Sequence, residues 1–113
     1  WRKMLGGGLR QVGIVAAAGL YALEHNIERL SDDHRRADEL AAHLNSVENL
    51  GTAIAHTNMV FLETSDATMQ KLRAYLQEHD VIISGGRLVL HKDISDSDLD
   101  RLFGLFTAFA HQP

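Results

Sequence analysis

Two places in this 113-residue chain combine positive charge with flexible backbone, the combination that binds an anion. The first is the stretch from Trp1 to Gln11, in which three cations surround the consecutive glycines Gly6 to Gly8. Glycine lets another group approach the main chain closely, and arginine and lysine bind phosphate or carboxylate through charge-assisted hydrogen bonds. The apolar run from Val12 to Leu23 follows; as a helix, it would add free N–H groups and a favourable dipole beside the glycines.

This first stretch has a second interpretation, in which the glycines form a flexible or tightly packed connection and the cations stay in solvent. Three consecutive glycines match no phosphate-loop pattern such as GxxxxGK[ST]. The spacing of Arg2, Lys3 and Arg10 therefore leaves both interpretations open.

The second place is Arg87, which follows two glycines and precedes the apolar run Leu88 to Leu90. An arginine at the start of a strand can project from the end of a sheet and clamp a carboxylate in bidentate fashion. The alternative is a surface arginine paired with Asp80 or Asp93. Spacing alone favours that alternative.

Other chemistries have little support in the sequence. The seven histidines are scattered, with no HExxH pattern and no close pair, so no metal site is expected. There is no GxSxG for a catalytic serine, and the absence of cysteine excludes disulfides and thiolate chemistry. A net charge of −4 argues against a general nucleic-acid binder. The apolar run from Val12 to Leu23 is too short to suggest a membrane helix.

The first half of the chain is predicted to be helical. The small residues between Val12 and Leu23 favour a buried helix that packs closely against a neighbour, and Asn26 separates it from the next helix. That helix, Ile27 to Asn45, has its apolar residues on one face and a solvated charged face, with pairs such as Asp32 with Arg36. The apolar positions are Ile27, Leu30, Ala37, Leu40, Ala41 and Leu44.

The second half alternates strands and helices. Strands are predicted at Thr52 to His56, Asn58 to Thr64, Val81 to Ile83 and Arg87 to His91. One helix starts at Ser65-Asp66 and ends near Glu78; another follows a capping box in which Ser95 pairs with Asp98. This order predicts a small α/β sandwich with its helices on one face of the sheet. The helix before Asn26 does not belong to that sandwich and needs another partner.

Several stretches of the chain resemble low-specificity L-threonine aldolases, in the order in which that family has them. They are Trp1 to Gln11, Leu20 to Asn26, Asp33 to Ala37, Thr57 to Phe61 and Arg87 to Asp93. The resemblance covers the whole chain but only the last third of a family member. It implies the fold of aspartate aminotransferases and the cofactor pyridoxal 5'-phosphate (PLP). Residues 1–26 would end the large PLP-binding domain, and residues 27–113 would form the small C-terminal α/β domain.

The resemblance also implies roles for three cations. Arg87 belongs to an Arg-Leu-Val-x-His motif whose arginine holds the substrate α-carboxylate, and Leu90 stands where the family usually has threonine. Lys3 and Arg10 would lie near the cofactor phosphate, in a segment that reaches the site of a neighbouring subunit. His91 and Asp93 would orient the strand end that presents Arg87.

A complete PLP enzyme needs groups that the resemblance places before residue 1. These are the Schiff-base lysine, an aspartate at the pyridine nitrogen and a group stacked on the ring. No lysine of this chain stands in the Ser-Lys-Gly context of that lysine, so no catalytic residue is expected here. The implied whole is a cytoplasmic homotetramer, a dimer of dimers, which includes the preceding part of the polypeptide.

The implied reaction is cleavage of L-threonine, L-allo-threonine and related β-hydroxy-α-amino acids to glycine and an aldehyde. One alternative is a non-enzymatic α/β interaction module that docks through its apolar helix. Another is a β-eliminating lyase of the same fold. Neither nucleic acid nor a membrane is expected as a partner.

Overall fold

The structure is a computed structural model, and it describes residues 1–112. That part of the chain has four helices and one three-stranded sheet. In chain order the elements are α1 (Gly13–His25), α2 (Leu30–Ser46), β1 (Thr52–His56), β2 (Met59–Glu63), α3 (Asp66–Glu78), β3 (Arg87–Val89) and α4 (Asp96–Ala110).

The sheet is antiparallel with the strand order β1-β2-β3, so β3 lies at an edge. Its inner face is buried, whereas the opposite face is open. The inner residues include Val60 and Leu62, which are 0% and 5% exposed. On the open face Ile54, Phe61 and Val89 are 57%, 37% and 43% exposed. The predicted sandwich with its helices on one face of the sheet is therefore confirmed.

Two helices close the core over the inner face of the sheet. α2 packs across β1 and β2, while α4 packs on α2 and α3. The predicted apolar face of α2 is confirmed except at its beginning, because the helix starts at Leu30 and leaves Ile27 in the preceding turn. Its buried apolar residues are Ala37, Leu40, Ala41 and Leu44. Ser65 and Ser95 cap α3 and α4 as predicted, Ser95 through a complete capping box with Asp98.

The prediction that α1 is buried is wrong for this chain as described. None of its residues is buried, and Ile14 is 82% exposed. The hydrophobic core contains no residue before Ala37. The radius of gyration is 18.3 Å, against about 13 Å for a compact domain of this length. The division of the chain into two domains at residue 26 stays a prediction.

The predicted strand Val81–Ile83 does not form, because its backbone closes the end of α3 instead. The N–H of Val81 donates to the carbonyl of Leu76 at 2.9 Å, and the N–H of Asp80 donates to that of Gln77 at 3.2 Å. With Asp80 at φ +58°, this is the helix-ending pattern of two reverse hydrogen bonds around a left-handed residue. Val81 and Ile83 are half-buried against the core, but the segment is no part of the sheet.

The predicted ion pair between Asp32 and Arg36 is also wrong. Arg36 instead contacts Asp96 at 2.7 Å and Asp33 at 3.8 Å. Asp33 is only 3% exposed and is paired by Arg29 at 2.7 Å. The face of α2 that was expected to be solvated therefore contributes a buried carboxylate.

Candidate functional site

The glycine-rich stretch folds into a compact turn with its cations outside. The N–H of Leu5 donates to the carbonyl of Trp1 at 3.0 Å, and that of Gly7 donates to the carbonyl of Arg2 at 2.8 Å. Gly6 has a φ of +85°, in the region that favours glycine. The Arg2 guanidinium donates to the carbonyl of Leu9 at 3.2 Å. The turn therefore needs a glycine at position 6, and the side chain of Arg2 closes it.

The sequence placed the three glycines at the N-terminal end of α1, but in the structure residues 9–12 separate them from the helix. The helix begins at Gly13, after Gln11 with a φ of +48°. Its N-cap, Val12, offers no side-chain hydrogen bond, and the first turn contains no acidic residue. Lys3 and Arg10 are both exposed, and the first carboxylate of the sequence is Glu24. The stretch is therefore a positively charged surface without an acidic neighbour in sequence.

Arg87 is the first residue of β3 and lies opposite Phe61 of β2. Because side chains alternate along a strand, Arg87 shares the open face of the sheet with Phe61 and Val89. Its side chain is exposed, and the ion pairs among residues 1–112 do not include it. The pairing with Asp80 or Asp93 that spacing favoured is therefore absent from the described part of the chain.

A cavity of about 240 Å³ is lined by Arg87, by other residues of β3 and by the segment before β3. Its other walls come from α2 and α4, and its lining is mainly apolar. Leu40, Ile83, Leu102 and Phe106 are among the lining residues.

The two predicted halves of the site lie in different parts of the fold. Lys3 and Arg10 belong to the stretch before α1, whereas Arg87 begins β3 at the edge of the sheet. His91 and Asp93 lie in the exposed turn after β3, with His91 Nδ1 3.7 Å from the Asp93 carboxylate. The roles assigned to these five residues stay predictions.

Two residues without an expected role in chemistry, Gly86 and Asn58, hold the ends of β3. The N–H of Leu62 donates to the carbonyl of Gly86 at 2.8 Å, directly before Arg87. At the other end, the Asn58 amide donates to the carbonyl of Leu90 at 2.7 Å, and the N–H of Leu90 donates back to the carbonyl of Asn58 at 2.8 Å. The pairing of β3 with β2 therefore continues one residue beyond Val89, because Asn58 and Leu90 are the next pair in register. In the sequence, Gly86 stands out only as the second of two consecutive glycines, and Asn58 only as part of the Thr57 to Phe61 stretch.

A charge cluster joins α2 to the start of α4, away from these cations in sequence. Arg36 and Arg35 donate to Asp96 at 2.7 and 2.8 Å. These hydrogen bonds lower the pKa of Asp96 from 3.8 to about 2. The hydrogen bonds that Arg35 donates, first to Asp96 and then to Glu39, raise the pKa of Arg35.

The sign of the resulting pH dependence follows from the lowered pKa of Asp96. Between about pH 4 and pH 2 the unfolded chain binds more protons at this position than the folded one. The stabilisation by this carboxylate is therefore present above about pH 4 and is lost as the pH falls towards 2.

Within residues 1–112, no group of three or more histidine and carboxylate side chains is placed to hold a metal ion. Nor does any helix in that range have the length and apolar character needed to cross a bilayer.

Comparison with known proteins identifies the family. A family model described as beta-eliminating lyase matches residues 1–67, more than half of the chain. The chain belongs to the beta-eliminating lyase family. The match begins in the glycine-rich stretch and ends at the start of α3, so it includes all of α1, α2, β1 and β2.

Individual relatives of this chain carry the more specific name that the resemblance implied. The low specificity L-threonine aldolase of Escherichia coli strain K12 is 38% identical over 112 residues, which cover 96% of this chain and 33% of the relative. Low-specificity L-threonine aldolase 1 of Arabidopsis thaliana is 37% identical, over 93% of this chain and 32% of its own length. The probable low-specificity L-threonine aldolase of Schizosaccharomyces pombe is 35% identical, over 90% and 27%.

The chain spans about a third of the length of the curated relatives that it matches. The resemblance to threonine aldolases is confirmed over nearly the whole chain, β3 and α4 included. The family is one of lyases, which favours the enzyme over the non-enzymatic module.

Proposed function

We propose that this chain is the C-terminal portion of a PLP-dependent aldolase acting on L-threonine, L-allo-threonine and related β-hydroxy-α-amino acids. The reaction breaks the Cα–Cβ bond. Threonine yields glycine and acetaldehyde, and the hydroxyl proton of threonine ends on the glycine. Residues 1–26 end the large cofactor domain in this proposal, and residues 27–113 form the small domain.

The observation that carries the proposal is the state of Arg87. A guanidinium without an ion pair among residues 1–112 stands on the open face of the sheet, at the start of an edge strand. Its motif, Arg87-Leu88-Val89-Leu90-His91, is the one expected to bind a carboxylate. No carboxylate among residues 1–112 forms an ion pair with the Arg87 guanidinium. Its parallel N–H donors are therefore available for a bidentate partner.

The work that this chain does in the reaction is binding and orientation. Arg87 holds the α-carboxylate of the substrate and so selects which bond of Cα is aligned for cleavage. The apolar side chains of Phe61 and Val89 share the open face with Arg87, and they would exclude water from the pair once the rest of the enzyme covers that face. Desolvation strengthens such an ion pair. The base that removes the hydroxyl proton is assigned to no residue of this chain.

The residues of the first stretch fit the phosphate of the cofactor. Lys3 and Arg10 are exposed on a glycine-containing turn, beside a helix whose first turn has no acidic residue. Such a turn suits a dianionic phosphate. When bound, PLP supplies the electron sink for the carbanion left by bond cleavage. The lysine that carries it is proposed to lie in the preceding part of the polypeptide.

The exposed helix α1 supports the proposed larger assembly. From Val12 to Leu23 it contains no charged residue, so it has no polar side to turn to water. A helix that is apolar on all sides is a buried helix. In the complete enzyme, proposed as a cytoplasmic homotetramer formed as a dimer of dimers, protein would cover α1 on more than one side.

The direct test is the activity of the full-length enzyme on amino acids. Purified enzyme loaded with PLP is incubated with L-threonine and L-allo-threonine, and both glycine and acetaldehyde are measured. Equal amounts of the two products are expected. Release of neither product from either substrate, by an enzyme that has bound the cofactor, would refute the proposal.

A second candidate function comes from the description of the matching family model. A β-eliminating lyase would release pyruvate and ammonia from an amino acid with a leaving group at Cβ, such as tyrosine or cysteine. The same preparation is therefore assayed for pyruvate with these two amino acids. Pyruvate release without glycine release would favour the second candidate.

A further inference from the structure

The strand that presents Arg87 is short and has one strand neighbour. β3 spans only Arg87–Val89 and pairs with β2 through three residue pairs. The other side of β3 is the edge of the sheet. The segment before β3 hydrogen-bonds to the end of α3 instead of pairing with β3. The hydrogen bonds at the two ends of this ladder, which are in register with its three pairs, therefore contribute to its position.

One such contact is made directly before Arg87. The carbonyl of Gly86 accepts the N–H of Leu62 at 2.8 Å, so the two backbones lie side by side. A β-carbon at position 86 would overlap the carbonyl oxygen of Leu62 and would lie 3.6 Å from the end of Met69. The φ of Gly86 is not in the left-handed region, so the need for glycine comes from space. Any other residue must move the start of β3 away from β2.

The other contact is made after Val89. The side-chain amide of Asn58 donates to the carbonyl of Leu90 at 2.7 Å, while the main-chain carbonyl of Asn58 accepts the N–H of Leu90 at 2.8 Å. Leu90 is 3% exposed and belongs to the core. Asn58 is half-buried in the two-residue loop between β1 and β2. The pair of hydrogen bonds fixes the end of β3 to the loop that begins β2.

We propose that Gly86 and Asn58 are positioning residues that hold β3 at both ends and thereby aim Arg87 at the substrate carboxylate. This inference rests on the proposed function, since it assigns the two residues to the reaction through Arg87. Neither residue contacts the substrate in this account. A displacement of about 1 Å at a binding group can cost about a hundredfold in rate, so a small shift of the strand start is enough to matter.

The test is a double-mutant cycle in the full-length enzyme with Gly86→Ala and Arg87→Ala. Gly86→Ala is expected to lower kcat/KM for L-threonine by about tenfold to a hundredfold. In the Arg87→Ala background the same substitution should change kcat/KM by less than about twofold, because coupled residues are not additive. Full additivity of the two losses would overturn the positioning role.

A ligand without a carboxylate separates a positioning role from general structural damage, because structural damage would weaken the binding of that ligand as well. The amino alcohol with CH₂OH in place of the carboxylate of threonine is used as a competitive inhibitor. Its inhibition constant should be the same in wild type and Gly86→Ala, while the KM for threonine rises. An equal weakening of both ligands would mean general damage to the site and would overturn the proposal.

The matched control is Gly85→Ala, the neighbouring glycine, where a β-carbon would meet no atom within 4 Å. It should keep the wild-type KM. Asn58→Ala adds no atom to a packed region. If Gly86→Ala does not fold, the same double-mutant cycle is measured with Asn58→Ala and Arg87→Ala. An unchanged KM for threonine in a folded Asn58→Ala enzyme would remove Asn58 from the proposal.

The cycle also separates this inference from the function on which it rests. An Arg87→Ala enzyme with wild-type kinetics would refute the carboxylate role of Arg87. An impaired Arg87→Ala enzyme, together with a Gly86→Ala loss that adds in full, would refute only the positioning role.

Discussion

Replacing Arg87 with alanine in the full-length enzyme is expected to impair substrate binding without destabilising the fold. The guanidinium is exposed and forms no ion pair among residues 1–112, so the folded chain loses no internal partner. Surface substitutions of this kind change the free energy of unfolding by about 0.5 kcal/mol or less. Truncating one member of a buried charge pair with a ligand costs about 2–5 kcal/mol.

At about 1.4 kcal/mol for each factor of ten, that cost corresponds to a loss in kcat/KM of about thirtyfold to several thousandfold. The assay couples acetaldehyde release from L-threonine to NADH oxidation, and urea unfolding of the same preparations measures stability. Arg87→Lys is the matched variant: it keeps the charge but loses the planar fork, so an intermediate loss is expected. Wild-type kcat/KM in Arg87→Ala, or a stability loss large enough to explain the kinetic defect, would refute the reasoning.

Three further predictions concern the first stretch, the charge cluster and α1. Lys3→Ala and Arg10→Ala should each raise the dissociation constant for PLP by about tenfold or more, because each removes a charged hydrogen bond of roughly 1.5–3 kcal/mol. Equilibrium dialysis measures this constant, and unchanged values would exclude these cations from the phosphate site. Asp96→Asn should flatten the fall in urea midpoint between about pH 5 and pH 2.5, because it removes a carboxylate whose pKa is lowered to about 2; a pH profile identical to wild type would contradict that role. Ala16→Cys and Ala18→Cys place thiols about 200° apart on α1, and in a full-length background without other cysteines both should resist a thiol reagent. Rapid labelling of either thiol would show that one side of the helix is open.

The elements of the sandwich could be predicted where local pattern and packing agree. The alternation through β2 put Val60 and Leu62 on one face of the strand, and the structure buries both of them. The capping box at Ser95 marked the start of α4, which is confirmed. These signals are local, since a strand has a period of two residues and a cap satisfies N–H groups within one turn.

The errors arose where two local solutions compete. Val81 to Ile83 has the composition of a strand, but the left-handed Asp80 directs the N–H of Val81 to the end of α3. Arg36 has a carboxylate four residues earlier, yet it contacts Asp96, sixty residues later in the chain. Periodicity carries no information on which of two nearby partners a backbone or side chain will choose.

The candidate site was predictable from residue type and motif only in part. Arg87 could be named from the sequence, and the structure adds that it lacks an internal partner. Gly86 and Asn58 could not be assigned, because their importance lies in a close backbone approach and in hydrogen bonds across thirty-two residues. How the cations of the first stretch reach Arg87 depends on the other two-thirds of the length that the relatives have.

The distance between Arg87 and the carboxylate of a bound amino acid tests the central claim most directly. It can be measured in a crystal structure of the full-length enzyme with PLP and glycine, the proposed product. The account predicts two nitrogens of the Arg87 guanidinium within about 2.7–2.9 Å of the two carboxylate oxygens. A carboxylate bound by other residues, with Arg87 left in solvent, would contradict it.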